Sequence, residues 1–359
     1  MEQDSDIQSK TSKALIDKLE KENHLTTEEY AFLIENQTET IASYAAEKAV
    51  KAREKIYGKS IYVRALIEIS NICKNNCFYC GIRVENKSCR RYRLSADEIF
   101  DCASEAYKLG FRTFVLQGGE DAFFNDDFLC NLVEKLKINF SDAAVTLSLG
   151  ERTKDSYKRL FDAGTDRYLL RHETADREHY QKLHPKEMSF DNRMECIQNL
   201  KEIGYQVGIG FMVGSPFQTD LLIAKDLKFI ETFKPAMCGI GPFIAHHATP
   251  FANKSNGTVA KTTFLLSLIR LIRPNILLPA TTALGSVMNE GREKGILSGA
   301  NIIMPNMTPK KNRKDYEIYD NKISTGLESA QNIQELIDSI AKTKCMIDFS
   351  KGDAKYLNG

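Results

Sequence analysis

The sequence has no excess of charge of one sign. Its 359 residues carry 49 lysines and arginines against 48 aspartates and glutamates, a formal net charge of +1. That balance gives no electrostatic footing for nucleic acid or for an anionic membrane surface. Long hydrophobic runs are missing too. No stretch approaches the roughly 20 apolar residues that a membrane span needs, and Met1 to Lys10 is polar, without the apolar core of a signal sequence. Nor is there a disulfide framework. Of nine cysteines, six (Cys89, Cys102, Cys130, Cys196, Cys238 and Cys345) are scattered without metal-ligand spacing and read as small core residues. This usage fits a reducing cytoplasm. The hydrophobic content of 42% suffices for a large core, and the length is usual for a barrel enzyme.

The other three cysteines stand together in Cys73-Lys74-Asn75-Asn76-Cys77-Phe78-Tyr79-Cys80, just after an apolar, strand-like run from Ile61 to Ile69. Three thiolates can hold three irons of a cubic 4Fe–4S cluster and leave the fourth iron open for chemistry. A structural zinc site would close its tetrahedron with a fourth Cys or His, and Gly81 to Lys87 offers neither.

Residues 1–57 read as a helical extension, with Thr26 and Glu29 forming a capping box. From Ser60 the pattern becomes strand, loop, helix, repeated. Strands are expected at Tyr62–Ile69, Thr113–Gln117, Ala144–Leu149, Arg167–Arg171, Val207–Met212, Met237–Gly241, Ile276–Thr281 and Asn301–Met304, each short and mostly apolar. Helices are expected near 96–110, 126–139, 153–163, 189–203, 219–232, 259–272 and 286–298. This alternation predicts an α/β fold, a complete (β/α)8 TIM barrel over residues 58–305. The C-terminal segment 306–359 is expected to close the barrel and to end in a helix near Ile333–Thr343, after a basic, solvated turn at Lys310–Lys314. Barrel chemistry sits at the C-terminal ends of the strands, which places the cysteine loop at that mouth.

Other strand ends add candidates. Gln117-Gly118-Gly119-Glu120-Asp121 lets backbone approach a ligand, or is an ordinary turn. Thr146 and Ser148 share a face; their hydroxyls are either satisfied locally or form a polar floor. Arg171 and Glu173 end a strand that is otherwise buried. They either pair with each other or serve a ligand, Arg171 taking an anion and Glu173 a ribose or ammonium group. Thr281 and Thr282 bring two more hydroxyls to the mouth. His246 and His247 are adjacent, which points side chains apart in a strand, so a polar loop is favoured over a metal site.

The cysteine loop, with Tyr79 before its last cysteine, resembles the signature of the radical S-adenosylmethionine (SAM) superfamily. That resemblance implies that the open iron chelates SAM and that an electron from the cluster releases a 5′-deoxyadenosyl radical. Further blocks, including Leu-Gln-Gly-Gly-Glu-Asp, Thr-Leu-Ser-Leu-Gly-Glu, Arg-His-Glu-Thr, Pro-Ala-Thr-Thr-Ala and Ile-Met-Pro-Asn, resemble the HydE family of FeFe-hydrogenase maturases over residues 58–325. The resemblance implies Cys73, Cys77 and Cys80 as cluster ligands. Tyr79, the backbone at Gly118 and Gly119, Glu173, Arg193 on the carboxylate, Tyr316 and Ile318 would bind SAM. Gln117, Thr146, Arg171, Thr281 and Thr282 would line a cavity for an anionic, sulfur-bearing substrate, a cysteine-bound iron–carbonyl–cyanide complex made by a partner maturase. A flavodoxin or ferredoxin would supply the electron.

The chain departs from the family at three points. Lys322-Ile323 is followed by Ser324, with no cysteine until Cys345, so one cluster and no second is expected. Gly118 stands where a relative can carry Ser, and Phe217 replaces a glycine of a Gly-Leu-Pro-Gly-Gln-Thr loop. Competing readings are a methylornithine synthase-like mutase and a non-catalytic iron–sulfur carrier or scaffold. Biotin synthase needs further barrel cysteines, and only Cys238 lies on an expected strand.

Overall fold

A computed structural model describes residues 2–323 and 332–355. The N-terminal helices Glu2–Glu22, Thr27–Glu35 and Glu39–Tyr57 lie against the outer helices of the main body. The capping box at Thr26 is present. Polar contacts fix the packing: the Tyr30 hydroxyl donates to Glu231 at 2.8 Å, and Arg53, 1% exposed, donates to the carbonyls of Ile296 and Ala300. A buried guanidinium is tolerated there because carbonyls receive it.

Six parallel strands follow in chain order: Ala65–Ser70, Thr113–Gly118, Ala144–Ser148, Arg167–Leu169, Gln206–Ile209 and Met237–Cys238. Single pairings carry the parallel order onward, from Met237 to Leu277 and from Pro279 to Ile302. Ile302–Ile303 then pairs with Ser60–Val63, and Asn306 with Leu66, so the order returns to the strand where it began. Side chains of the central strands are almost all buried, as helices on the outer face and packing within require. Among the described residues, no helix is long and apolar enough to cross a membrane.

Some of the elements differ from expectation. The 276–281 stretch contributes isolated pairings rather than a ladder. Pro279 has no N–H to give, and the Leu278 N–H goes instead to the Asn301 side chain at 2.9 Å. The helix expected at 286–298 is two short ones, Thr282–Val287 and Gly291–Ile296. Gly291 lies so close to the Leu284 carbonyl that a Cβ would not fit, which packs one piece against the other. A helix at Arg177–Leu183 was not anticipated.

The C-terminal segment contacts both ends of the strands. The expected helix is present at Ile333–Ala341, and beyond it the unanticipated strand Met346–Asp348 pairs with the free edge of Ser60–Val63. Residues 351–355 then cross the base. The Thr113 hydroxyl donates to Lys351 O at 3.0 Å, Arg64 to Gly352 O at 3.2 Å, and Arg167 to Lys351 O and Asp353. Arg167 therefore serves the base, although the expected strand Arg167–Arg171 put it together with Arg171; the observed strand ends at Leu169.

Candidate functional site

The cysteine loop leaves the strand at Ser70 and is held by polar side chains. The Asn71 side chain accepts the Tyr92 N–H at 2.8 Å and donates to the carbonyls of Arg90 and Asp315 at 2.8 and 2.6 Å. Arg91 donates to the carbonyls of Asn71, Ile82, Arg83 and Asn86, gathering the loop around one guanidinium. The second strand end supports it as well. The Lys74 N–H reaches Glu120 O at 3.0 Å, and the Glu120 N–H points at Cys73 Sγ at 3.4 Å. A Cβ on Gly119 would lie 2.7 Å from Cys73 Cβ, so only glycine fits. Gly118 is looser, with its nearest neighbours at 3.2 and 3.3 Å.

All nine cysteines are free thiols. Burial pushes the Cys73 thiol up, and burial together with the neighbouring thiols pushes Cys77 well up and Cys80 to about 12. Thiols raised in this way need a bound cation to exist as thiolates near neutral pH. The donor set thus suits a metal cluster rather than three unassisted thiolates.

Beside the loop, Glu173 adopts φ +64°, a left-handed conformation that side chains rarely hold, with its N–H bonded to Gly210 O at 3.0 Å. Its Oε1 lies 3.3 Å from Arg171 Nε, so the ion pair weighed from sequence is present. Yet Glu173 Oε2, Arg171 Nε and Nη2, and Thr146 Oγ1 are buried without a hydrogen-bond partner among the described residues. Orphaned buried polar atoms are costly and mark where a ligand would be received. The charge of Glu173 also contributes, after burial, to raising the Tyr79 phenol, which places the two groups together. Arg193 is buried and already engaged, donating to Glu151 at 2.5 Å and to Arg171 O at 2.7 Å.

The segment after Asn306 crosses the mouth. The Gln117 amide donates to the Tyr316 hydroxyl at 3.3 Å, and Ile318 O accepts the Gly81 N–H at 2.9 Å. Thus Tyr316 meets the second strand end, while Ile318 meets the cysteine loop through its backbone. Lys322 pairs with fully buried Glu68 and donates to Tyr316 O at 2.9 Å; the Asn306 amide donates to the other Glu68 oxygen, also at 2.9 Å. Thr281 Oγ1 donates to Ile240 O at 3.2 Å, and Thr282 opens the following helix.

His246 and His247 do not point apart: their rings stack at 4.4 Å, beside Asp320. The chain there is a loop, so strand alternation does not apply. His246 Nδ1 accepts the Ala248 N–H at 3.0 Å, which puts the ring proton on Nε2, while His247 Nδ1 bonds Asp320 at 2.7 Å. In this tautomer His246 has no lone pair to offer a metal, and the group acts as a polar latch on the mouth segment. Sequence reasoning missed Asn71, Arg91, Glu151 and Lys322. It also missed Glu68, whose charge inside the apolar run Ala65–Ser70 was a usable signal.

Residues 67–230 match the family model of the Radical SAM superfamily. The FeFe-hydrogenase maturase subunit HydE of Thermotoga maritima is 44% identical over 275 residues, which cover 77% of this chain and 78% of that one. The 3-methylornithine synthase of Methanosarcina acetivorans is 29% identical over 71% of this chain and 72% of its own. The crystal structure of methylornithine synthase (PylB) superposes with a TM-score of 0.79 over 93% of this chain and 97% of that one, at 24% identity, a likeness of fold. A tri-cysteine loop at the mouth of parallel strands and the extended identity to HydE lead to one conclusion: the chain belongs to the radical SAM superfamily and, within it, to the HydE family of FeFe-hydrogenase maturases.

Proposed function

We propose that this radical SAM enzyme matures the active-site cluster of FeFe-hydrogenase by acting on a cysteine-bound iron–carbonyl–cyanide complex delivered by a partner maturase. The observation that carries the reading is the set of unsatisfied groups beside three ligand-ready thiols: Arg171 Nε and Nη2, Glu173 Oε2 and Thr146 Oγ1. Cys73, Cys77 and Cys80 would hold a 4Fe–4S cluster with SAM on its open iron, and when bound the pair supplies the 5′-deoxyadenosyl radical.

The protein's own part is placement. Glu173 Oε2 would accept from a ribose hydroxyl or the ammonium of SAM. Arg193 would turn from Glu151 to the SAM carboxylate, so its own charge stays paired, while Glu151 keeps the Asn192 amide. Tyr79 and the backbone at Gly118 and Gly119 would flank SAM, with Tyr316 and Ile318 closing over it. Arg171 would take the anionic substrate in its planar fork, with Gln117, Thr146, Thr281 and Thr282 lining the same space. The segment over the mouth and the tail across the base support exclusion of water, which protects a radical from side reactions.

A flavodoxin or ferredoxin would supply low-potential electrons. The free thiols suit a reducing cytoplasm. A single cluster is proposed from the sequence after Lys322-Ile323; Ser324 itself lies outside the described residues.

Anaerobic reconstitution with SAM and dithionite tests the reading. 5′-Deoxyadenosine is expected, rising on addition of the iron–cysteine complex, with an altered iron complex as product. A lysine-derived amino acid product would instead identify a methylornithine synthase-like mutase. Absence of 5′-deoxyadenosine would identify a carrier or scaffold.

A further inference from the structure

The helix Arg177–Leu183 and the turn after it line three consecutive residues of the cysteine motif. Cys77 Sγ lies 3.6 Å from Met188 Sδ, the Phe78 N–H donates to Leu183 O at 3.0 Å, and the Tyr79 hydroxyl lies 3.1 Å from His184 Nε2. The last contact links residues 105 apart in the chain. His184 ends the helix and is 1% exposed. Its Nδ1 lies 2.9 Å from Tyr180 O. A carbonyl can only accept, so Nδ1 carries the proton and Nε2 the lone pair. The Tyr79 phenol must therefore donate. The imidazole itself is clamped: it stacks on Tyr180 at 4.0 Å and 24°, and Tyr79 meets it edge-on at 5.4 Å and 86°.

We propose that His184 is a positioning residue, which accepts the Tyr79 hydroxyl and so fixes the angle at which that ring faces SAM. It follows that the phenol has no proton to offer a ligand, and the Tyr79 hydroxyl can only accept there. The inference rests on Tyr79 lying beside SAM and is independent of the substrate assigned above.

The test uses full-length protein reconstituted without oxygen. Three quantities are measured: iron content, the SAM dissociation constant by equilibrium dialysis, and the EPR change of the reduced cluster on adding SAM. His184→Leu and Tyr79→Phe are each expected to keep iron and to weaken SAM binding by about three- to tenfold, the scale of one neutral hydrogen bond. His184→Gln, whose amide can donate to Tyr180 O and accept from Tyr79, is expected to stay near wild type. The Tyr79→Phe/His184→Leu double variant is expected to bind no more weakly than either single one, since both remove the same interaction. Wild-type affinity in both single variants overturns the proposal, as does additivity in the double. If His184→Leu loads no iron, Tyr79→Phe decides alone, because it leaves the imidazole stack intact. Tyr79→Ala separates the layers. Unchanged SAM binding in that variant sinks the placement of Tyr79 at SAM and the inference with it. Weakened binding there, with Tyr79→Phe and His184→Leu normal, sinks only the role of His184.

Discussion

Glu173 holds a left-handed backbone conformation at φ +64° that costs a non-glycine residue about 1 kcal/mol. The carboxylate obtained in exchange has one oxygen on Arg171 and one without a partner. Strain kept at such a point is expected where function outweighs stability. Glu173→Gly should therefore raise the stability of the metal-free protein by up to about 1 kcal/mol in chemical denaturation, while SAM binding by the reconstituted protein falls at least tenfold. A destabilised variant with unchanged SAM affinity would falsify both halves. Residues of this kind were partly legible. The cysteines, Arg171 and Glu173 stood out because their spacing or charge conflicted with an ordinary strand end. Glu151 and His184 did not, because each acts through a partner far away in the chain, Arg193 and Tyr79.

At the scale of elements, the mouth segment is tied to the first strand by Glu68 and Lys322. Both side chains are nearly or fully buried, at 0% and 7% exposure. Removing one member strands the other charge in a low-dielectric site, at a cost of about 3–5 kcal/mol. Glu68→Gln and Lys322→Met should each lower stability on that scale in urea titrations. The double variant should recover most of the loss, because no unpaired charge remains. If the double is as unstable as the sum, the pair contributes by geometry rather than by mutual neutralisation. The alternation of apolar runs with capped helices made most elements readable in advance. What escaped was short or glycine-broken. The strand Met346–Asp348 has only three residues, one of them 66% exposed, and no period can be read from it. The helix Arg177–Leu183 spans two turns among charged residues, too few for an apolar stripe to declare itself.

For the whole molecule, one C-terminal stretch touches both ends of the strand array: 315–323 across the mouth, 351–355 across the base. Two buried guanidiniums at the base depend on it. Arg64 otherwise meets only the Met237 sulfur, and Arg167 only the Thr113 hydroxyl, among the described residues. Ending the chain after Ser350 should lower stability by about 3 kcal/mol or more, since polar groups are left buried and unpaired. Calorimetry of the metal-free protein would register this as a drop in Tm. An unchanged Tm would mean that water replaces the tail at no cost.

The pairing of Ser60 with Met346 has a temporal meaning as well. The strand Ser60–Val63 has neighbours, Ile302–Ile303 and Met346–Asp348, that are synthesised far later than itself. Until then it waits with open edges, and contacts so distant along the chain form slowly. Completion of the array therefore depends on pairings between remote parts of the chain, and a chain cut before Met346 leaves one edge of Ser60–Val63 unpaired.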